Sequence, residues 1–176
     1  MQFPWQPKFD INSFKSDNWK SLSDGARKKQ LQALENDMAK EQGRKPRRVV
    51  IDPAYSDGGC YTTDGKGGGT IHVSRNDLHK NSFECMDTVI HEGRHAYQDD
   101  VINNRITNSE ADDIKLSWAH NDLDGCYITN SEGSCCDYYY QPQEADAYGF
   151  AKLKMDDRSS LFADDPQYQD YLANRE

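Results

Sequence analysis

"VIHEGRHAYQ" occupies residues 89–98 and carries two of the chain's five histidines, His91 and His95, with Glu92 directly after the first. An α-helix turns about every 3.6 residues, so side chains four positions apart lie on one face, one turn from each other. The surrounding residues predict that helix. In "NSFECMDTVIHEGRHAYQDDVIN" (81–103), Phe83, Met86 and Ile90 recur three or four apart, and Tyr97 and Val101 continue the apolar face. Val89 and Ile90 anchor its buried side. Asn81 followed by Glu84 has the spacing of a capping box.

On such a helix both imidazoles can reach one zinc ion at about 2.0–2.1 Å. Glu92 projects beside that face, where it can hold a water whose pKa the metal lowers toward ~7 and take its proton. A catalytic zinc needs a third protein ligand. Glu144 is the residue expected to supply it, from the next convincing helical pattern, where Ala145 and Ala147 allow close helix approach. Asp99 follows His95 at one-turn spacing but would point away from a tetrahedral centre. Asp146 faces another side of its helix. His120 would complete a three-histidine site, but it lies too far along the chain for the compact H-E-x-x-H-x-x-G-x-x-H pattern, and Gln98 and Val101 stand where that pattern wants glycine and histidine.

Outward from this segment the chain reads as α+β. Residues 21–43 form a helical stretch with Ala26, Leu31, Leu34 and Met38 on one face, Ser23 as N-cap and Gly43 at the C-terminus. "RRVVIDPAY" (47–55) is a short buried strand bounded by Pro53. "GGCYTTDGKGGGTIHVSRNDL" (58–78) is a hairpin whose glycine run forms the tip; it lacks the lysine-serine ending of a phosphate loop. "ADDIKLSWAH" (111–120) is a short helix and 121–140 a long loop. Residues 141–154 resume a helical pattern, and a short helix is expected near "QYQDYLAN" in an acidic tail, 156–176. Residues 1–15 form an irregular aromatic arm. The whole is one domain, 1–176, with 104–140 as an insertion.

Composition bounds the function. The 176 residues are enough for a real core, and 35% hydrophobic content leaves ten Tyr, six Phe and three Trp to supply much of it. A net charge of −9 repels phosphate backbones, so nucleic acid is not an expected partner. The basic run "GRKPRR" (43–48) is expected to be a solvated helix end and linker. No apolar run approaches the ~20 residues that span a membrane, and the N-terminus shows no signal-peptide pattern. The chain is then cytosolic, exported by a route without a Sec-type signal, or a module of a larger protein. Five cysteines, an odd number without a C-x-x-C pair, argue against a zinc knuckle. Among Cys126, Cys135 and Cys136, one disulfide and ordinary reduced thiols are both open.

The element order, with His91-Glu92-Gly93-Arg94-His95 on one helix and a glutamate on a later one, resembles the zincin metallopeptidases of the gluzincin branch. "GGTIHVS" (68–74) and "EADAYGFA" (144–151) are similar to stretches of the small peptidases that cut phage repressors. The resemblance covers roughly residues 20–155; the 104–140 insertion departs from it. It implies a zincin-like fold, with a small mixed sheet whose edge strand runs over the H-E-x-x-H helix. It also implies a peptide-hydrolysing enzyme holding one zinc per chain on His91, His95 and Glu144, with Glu92 as general base. In that arrangement the strand before the active helix is the sheet edge, so Thr70, Ile71, His72 and Val73 would pair with an extended protein or peptide substrate. A hydroxyl or imidazole must stabilise the oxyanion. Tyr127, Tyr138, Tyr139, Tyr140, Tyr148 and His120 are candidates, with His120, Tyr138 and Tyr148 carried forward. Similar modules occur as toxin or effector domains of bacterial secretion systems, which implies a possible cognate immunity protein. The alternative is a zincin-shaped module that holds zinc for interaction without hydrolysis.

Overall fold

A computed structural model of the chain describes residues 8–123, 126–129, 132 and 134–175. It is a mixed α+β fold. The described elements are α1 (Ser16–Ser21), α2 (Asp24–Glu41), β1 (Arg48–Asp52), β2 (Gly59–Thr63), β3 (Gly69–Ser74), α3 (Arg75–Lys80), α4 (Ser82–Ile102), α5 (Asp112–Asn121), α6 (Cys135–Tyr139), α7 (Pro142–Asp156) and α8 (Pro166–Asn174).

The sheet has the order β1-β3-β2. β3 pairs in parallel with β1, Val49 opposite Ile71 and Ile51 opposite Val73, and antiparallel with β2, Tyr61 opposite Ile71. This corrects the expected edge. Thr70, Ile71, His72 and Val73 lie in the middle strand, whose backbone groups are engaged by a neighbour on each side, and β2 is the strand with an unpaired flank on the hairpin side. The hairpin tip closes as its glycines suggest. The Asp64 carboxylate accepts from Lys66 N and Gly68 N, both at 2.8 Å, and Gly65 and Gly67 take positive φ of 70° and 86°.

Helix α4 runs through the centre, against α2, β2, β3 and α7. Its apolar face, Phe83, Met86, Val89 and Ile90, is fully buried with Ile71 and Val73 of β3 and Leu31 and Leu34 of α2. Asn81 caps it by accepting from Phe83 N at 2.9 Å. The bond goes to the N2 amide and not to Glu84 N, so Asn81 caps the helix without the expected capping box. The Asn81 N–H that Glu84 would receive is already given to Asp77 O at 2.9 Å, closing α3. Past His95, Tyr97, Val101 and Trp118 form a second small cluster. Ala147 and Ala151, fully buried, face α4 from α7.

Three segments are more ordered than their composition suggests. In the basic run, Arg44 and Arg47 are buried, not solvated: Arg44 pairs with Glu35 at 2.6 Å and Arg47 with Asp100 at 2.7 Å. The N-terminal arm contributes fully buried Phe14, and the tail contributes Phe162, Tyr168 and Tyr171 to the main core. The long loop contains α6, opened by a capping box between Ser134 and Asp137. Cys60, Cys85 and Cys126 are free thiols; the side chain of Cys135 lies outside the described residues. No helix among them is long and apolar enough to cross a membrane.

Candidate metal centre

Two helices meet at the site. α4 presents His91 and His95 from one face, and α7, which opens with Pro142, presents Glu144 from its first turn. The two imidazole Nε2 atoms lie 3.1 Å apart. Glu144 Oε2 is 3.3 Å from His91 Nε2, and Glu144 Oε1 is 3.2 Å from His95 Nε2. A tetrahedron of ~2.0–2.1 Å bonds has edges of about 3.3–3.4 Å, so the three groups stand at the separations of ligands around one small ion. Glu144 is fully buried, and its Oε2 has no hydrogen-bond partner. A buried carboxylate oxygen facing imidazole lone pairs is costly unless a cation or a proton sits among them. The residue set therefore could hold a metal ion.

Electrostatics agree with that reading. Burial alone would lower the pKa of His95, but its contact with Glu144 and the charges of Glu92 and Glu144 override burial and raise it to about 9. Burial pushes the Glu144 carboxyl up, yet the facing His91 and His95 rings, the His95 charge and the Tyr127 hydroxyl hold it well below the usual carboxylate range. The cluster thus favours positive charge at His95 beside an ionised Glu144.

Beside the trio is a cleft of about 350 Å³. Glu92 lines it, 8% exposed, with His95, Glu144, Asp99, Asp122, Tyr127 and Tyr138, and the edge strand β2 forms another wall through Cys60, Tyr61 and Thr63. Asp99 turns away from the trio to Arg105 at 2.8 Å and accepts from Tyr61 and Thr63. Asp146 is bound by Arg94 at 2.7 Å. Neither belongs to the ligand cluster.

Of the expected oxyanion donors, Tyr138 lines this cleft, whereas His120 is exposed on α5 outside it. Tyr148 packs its ring on His91 with centroids 4.3 Å apart and lines a separate cavity with Asp87 and Tyr171. His72, on the central strand, is held by Asp52 at 2.9 Å and Thr62 at 3.2 Å, and is not a ligand. Among the described residues, the hydroxyl that bonds the trio belongs to Tyr127, which donates to Glu144 Oε1. Gln141 presents it by acting as a strand mimic: Ile128 N donates to Gln141 Oε1 and Gln141 Nε2 donates to Ile128 O, both at 2.7 Å. Sequence reading missed Gln141 and Gln98, which accepts from His95 Nδ1 at 2.8 Å. Carboxamides leave no spacing signature of such a role. Comparison with protein-family models, with curated proteins and with solved structures finds no match for this chain.

Proposed function

We propose that the protein is a zinc-dependent peptidase of zincin-like construction, with one ion held by His91, His95 and Glu144. The observation that carries this reading is the convergence of the three ligand atoms at tetrahedral-edge separations beside a cleft that Glu92 lines. Two imidazoles and one carboxylate suit zinc better than the all-oxygen preference of magnesium or calcium. Bound there, zinc supplies Lewis acidity, lowering the pKa of a water toward ~7 and polarising a carbonyl.

Glu92 then acts as the proton carrier. Its carboxylate takes a proton from the attacking water as the water oxygen bonds to the carbonyl carbon. It returns that proton to the amine nitrogen as the C–N bond breaks. Burial raises the pKa of both Tyr127 and Tyr138, so each phenol stays protonated near neutrality. Tyr127 gives its one O–H to Glu144 Oε1, which leaves Tyr138, lining the same cleft, as the donor to the developing oxyanion. The unpaired flank of β2, beside Glu92 and His95, offers backbone groups to which an extended substrate can add as a strand, in the role first expected of residues 70–73.

Glu92→Gln tests the reading. The variant keeps size and hydrogen bonding but cannot accept a proton at neutral pH. Zinc content should stay at one ion per chain while hydrolysis of an unfolded protein such as casein falls by about 10²–10⁴-fold or more. Equal hydrolysis by wild type and variant would sink the peptidase reading. Zinc binding with no hydrolysis by either would leave the interaction module.

A further inference from the structure

The strongest feature outside the trio itself is the hydrogen-bond chain behind His95. Gln98 sits one turn further along α4 and is 1% exposed. Its Nε2 lies 2.9 Å from the Gln143 carbonyl and 2.7 Å from Asp146 Oδ2. Both partners only accept, so the atom facing them must be the amide NH₂. Asp146 is in turn held as a carboxylate by the Arg94 fork, Nε to Oδ2 at 2.7 Å and Nη2 to Oδ1 at 2.9 Å. The carboxamide therefore cannot flip. Its Oε1 must face His95 Nδ1, at 2.8 Å. A carbonyl oxygen only accepts, so Nδ1 must carry a hydrogen. In the neutral ring the bare lone pair is then on Nε2, the atom that faces His91 and Glu144. Neutral imidazole in water favours the opposite tautomer, with the hydrogen on Nε2, so the protein reverses the intrinsic preference.

We infer that Gln98 is the positioning residue of the metal centre: it fixes His95 in the Nδ1–H tautomer with Nε2 directed at the ion, and it ties α4 to α7 one residue before Glu144. The chain Arg94–Asp146–Gln98–His95 makes residues beyond the three ligands part of the site. Arg94, between the two histidines, sets Asp146; Asp146 sets the amide; the amide sets the ring. The inference rests on the metal-holding part of the proposed function, and not on hydrolysis.

Two substitutions separate this role from a merely structural one. Gln98→Met keeps the volume and removes both the acceptor and the donors. Gln98→Glu keeps an acceptor for His95 but turns a carboxylate toward the Gln143 carbonyl and Asp146. Metal-free melting temperature should therefore fall further for Gln98→Glu than for Gln98→Met. Zinc affinity, measured by competition with a chromophoric chelator, should run the other way. Gln98→Met should lose about 10–100-fold, and Gln98→Glu should stay within a few-fold of wild type. If affinity follows stability, or if Gln98→Met binds zinc like wild type, the inference is wrong. Long-range ¹H–¹⁵N correlation on the wild-type, metal-free protein at about pH 10, above the raised His95 pKa, gives a readout that needs no variant. It should find the His95 proton on Nδ1, and a proton on Nε2 would overturn the assignment. Wild type that takes up no zinc at all would remove the metal reading, and the tautomer measurement would still decide the role of Gln98.

Discussion

Against burial, contact with Glu144 and the charges of Glu92 and Glu144 raise the His95 pKa to about 9, so an ion bound as proposed would have to displace a proton from this ring. The consequences for stability have opposite signs with and without metal. His95 is raised above its ordinary 6.5, so its contribution to the metal-free fold is complete below about 6.5 and is lost as pH rises through about 9. Glu144 is depressed below its ordinary 4.5, so its contribution is present above about 4.5 and is lost as pH falls through the depressed value. Zinc bound as proposed would stabilise only the folded chain and would need both imidazoles deprotonated, so its effect would grow with pH over the same window. The melting-temperature gap between zinc-loaded and chelator-treated protein should widen from pH 6 to pH 9. A gap that is constant or narrows would mean that the ion does not bind through His95. At this scale the sequence was legible where chemistry imposes spacing. His91, Glu92 and His95 follow from helix geometry, and Glu144 from a second helical pattern. Tyr127 was one tyrosine among six candidate donors, because what selects it is a pair of Gln141 hydrogen bonds across a loop, which no local pattern encodes.

Helix α4 shows what an element adds to its residues. Gly93 sits between His91 and His95, where helix propensity favours alanine by about 1 kcal/mol. A Cβ there would lie 2.8 Å from Arg44 Nη2 and 3.0 Å from Glu35 Oε2. That ion pair is buried on both sides and cannot retreat easily, since Glu35 Oε1 also accepts from Arg47 N at 2.7 Å. The packing clash outweighs the propensity, so Gly93→Ala should destabilise by roughly 1–3 kcal/mol. Gly149 of α7 is the control. It is exposed, and a Cβ there meets nothing within 4 Å, so Gly149→Ala should gain up to about 1 kcal/mol. Urea midpoints of the two variants should move in opposite directions; a shift of the same sign would refute the packing argument. The strand that was misplaced is instructive in the same way. Ile71 and Val73 point inward and His72 outward whether β3 is central or at an edge, so alternation predicts the strand and not its neighbours. Its place is decided by the parallel pairing to β1, a contact between distant segments.

At the scale of the molecule, the segments expected to be arm and tail close the core together. Their sequences are polar, and although Tyr168 and Tyr171 stand three apart on the short helix expected there, nothing local says that this face meets the core. Phe14 and Trp19 nevertheless stack at 5.2 Å, and Phe162, Tyr168 and Tyr171 surround Phe83 at the start of α4. Hydrogen bonds fix the closure: Ser82 Oγ donates to Phe14 O at 2.6 Å, Asn81 Nδ2 to Gln167 O at 3.0 Å, and Ser16 N to Asp165 Oδ2 at 2.7 Å. Asp165 also caps α8 through Gln167 N at 3.0 Å. Burial pushes its carboxyl up, but the donors from Ser16, Gln167 and Tyr168 prevail and lower it below the usual 3.8. Its contribution is therefore complete above about pH 3.8 and is lost as pH falls through the lower value. Asp165→Ala should cost about 1–2 kcal/mol at neutral pH, a difference that shrinks in acid, and Phe14→Ala about 3–5 kcal/mol at any pH. None of these residues touches His91, His95 or Glu144, so the folded fraction of each variant should still bind zinc with wild-type affinity. Urea titrations at pH 7 and about pH 3, with chelator competition for zinc, measure both quantities. Unchanged midpoints would mean that the terminal segments are appendages after all. Midpoints that fall together with zinc affinity would mean that they hold the metal site itself in shape.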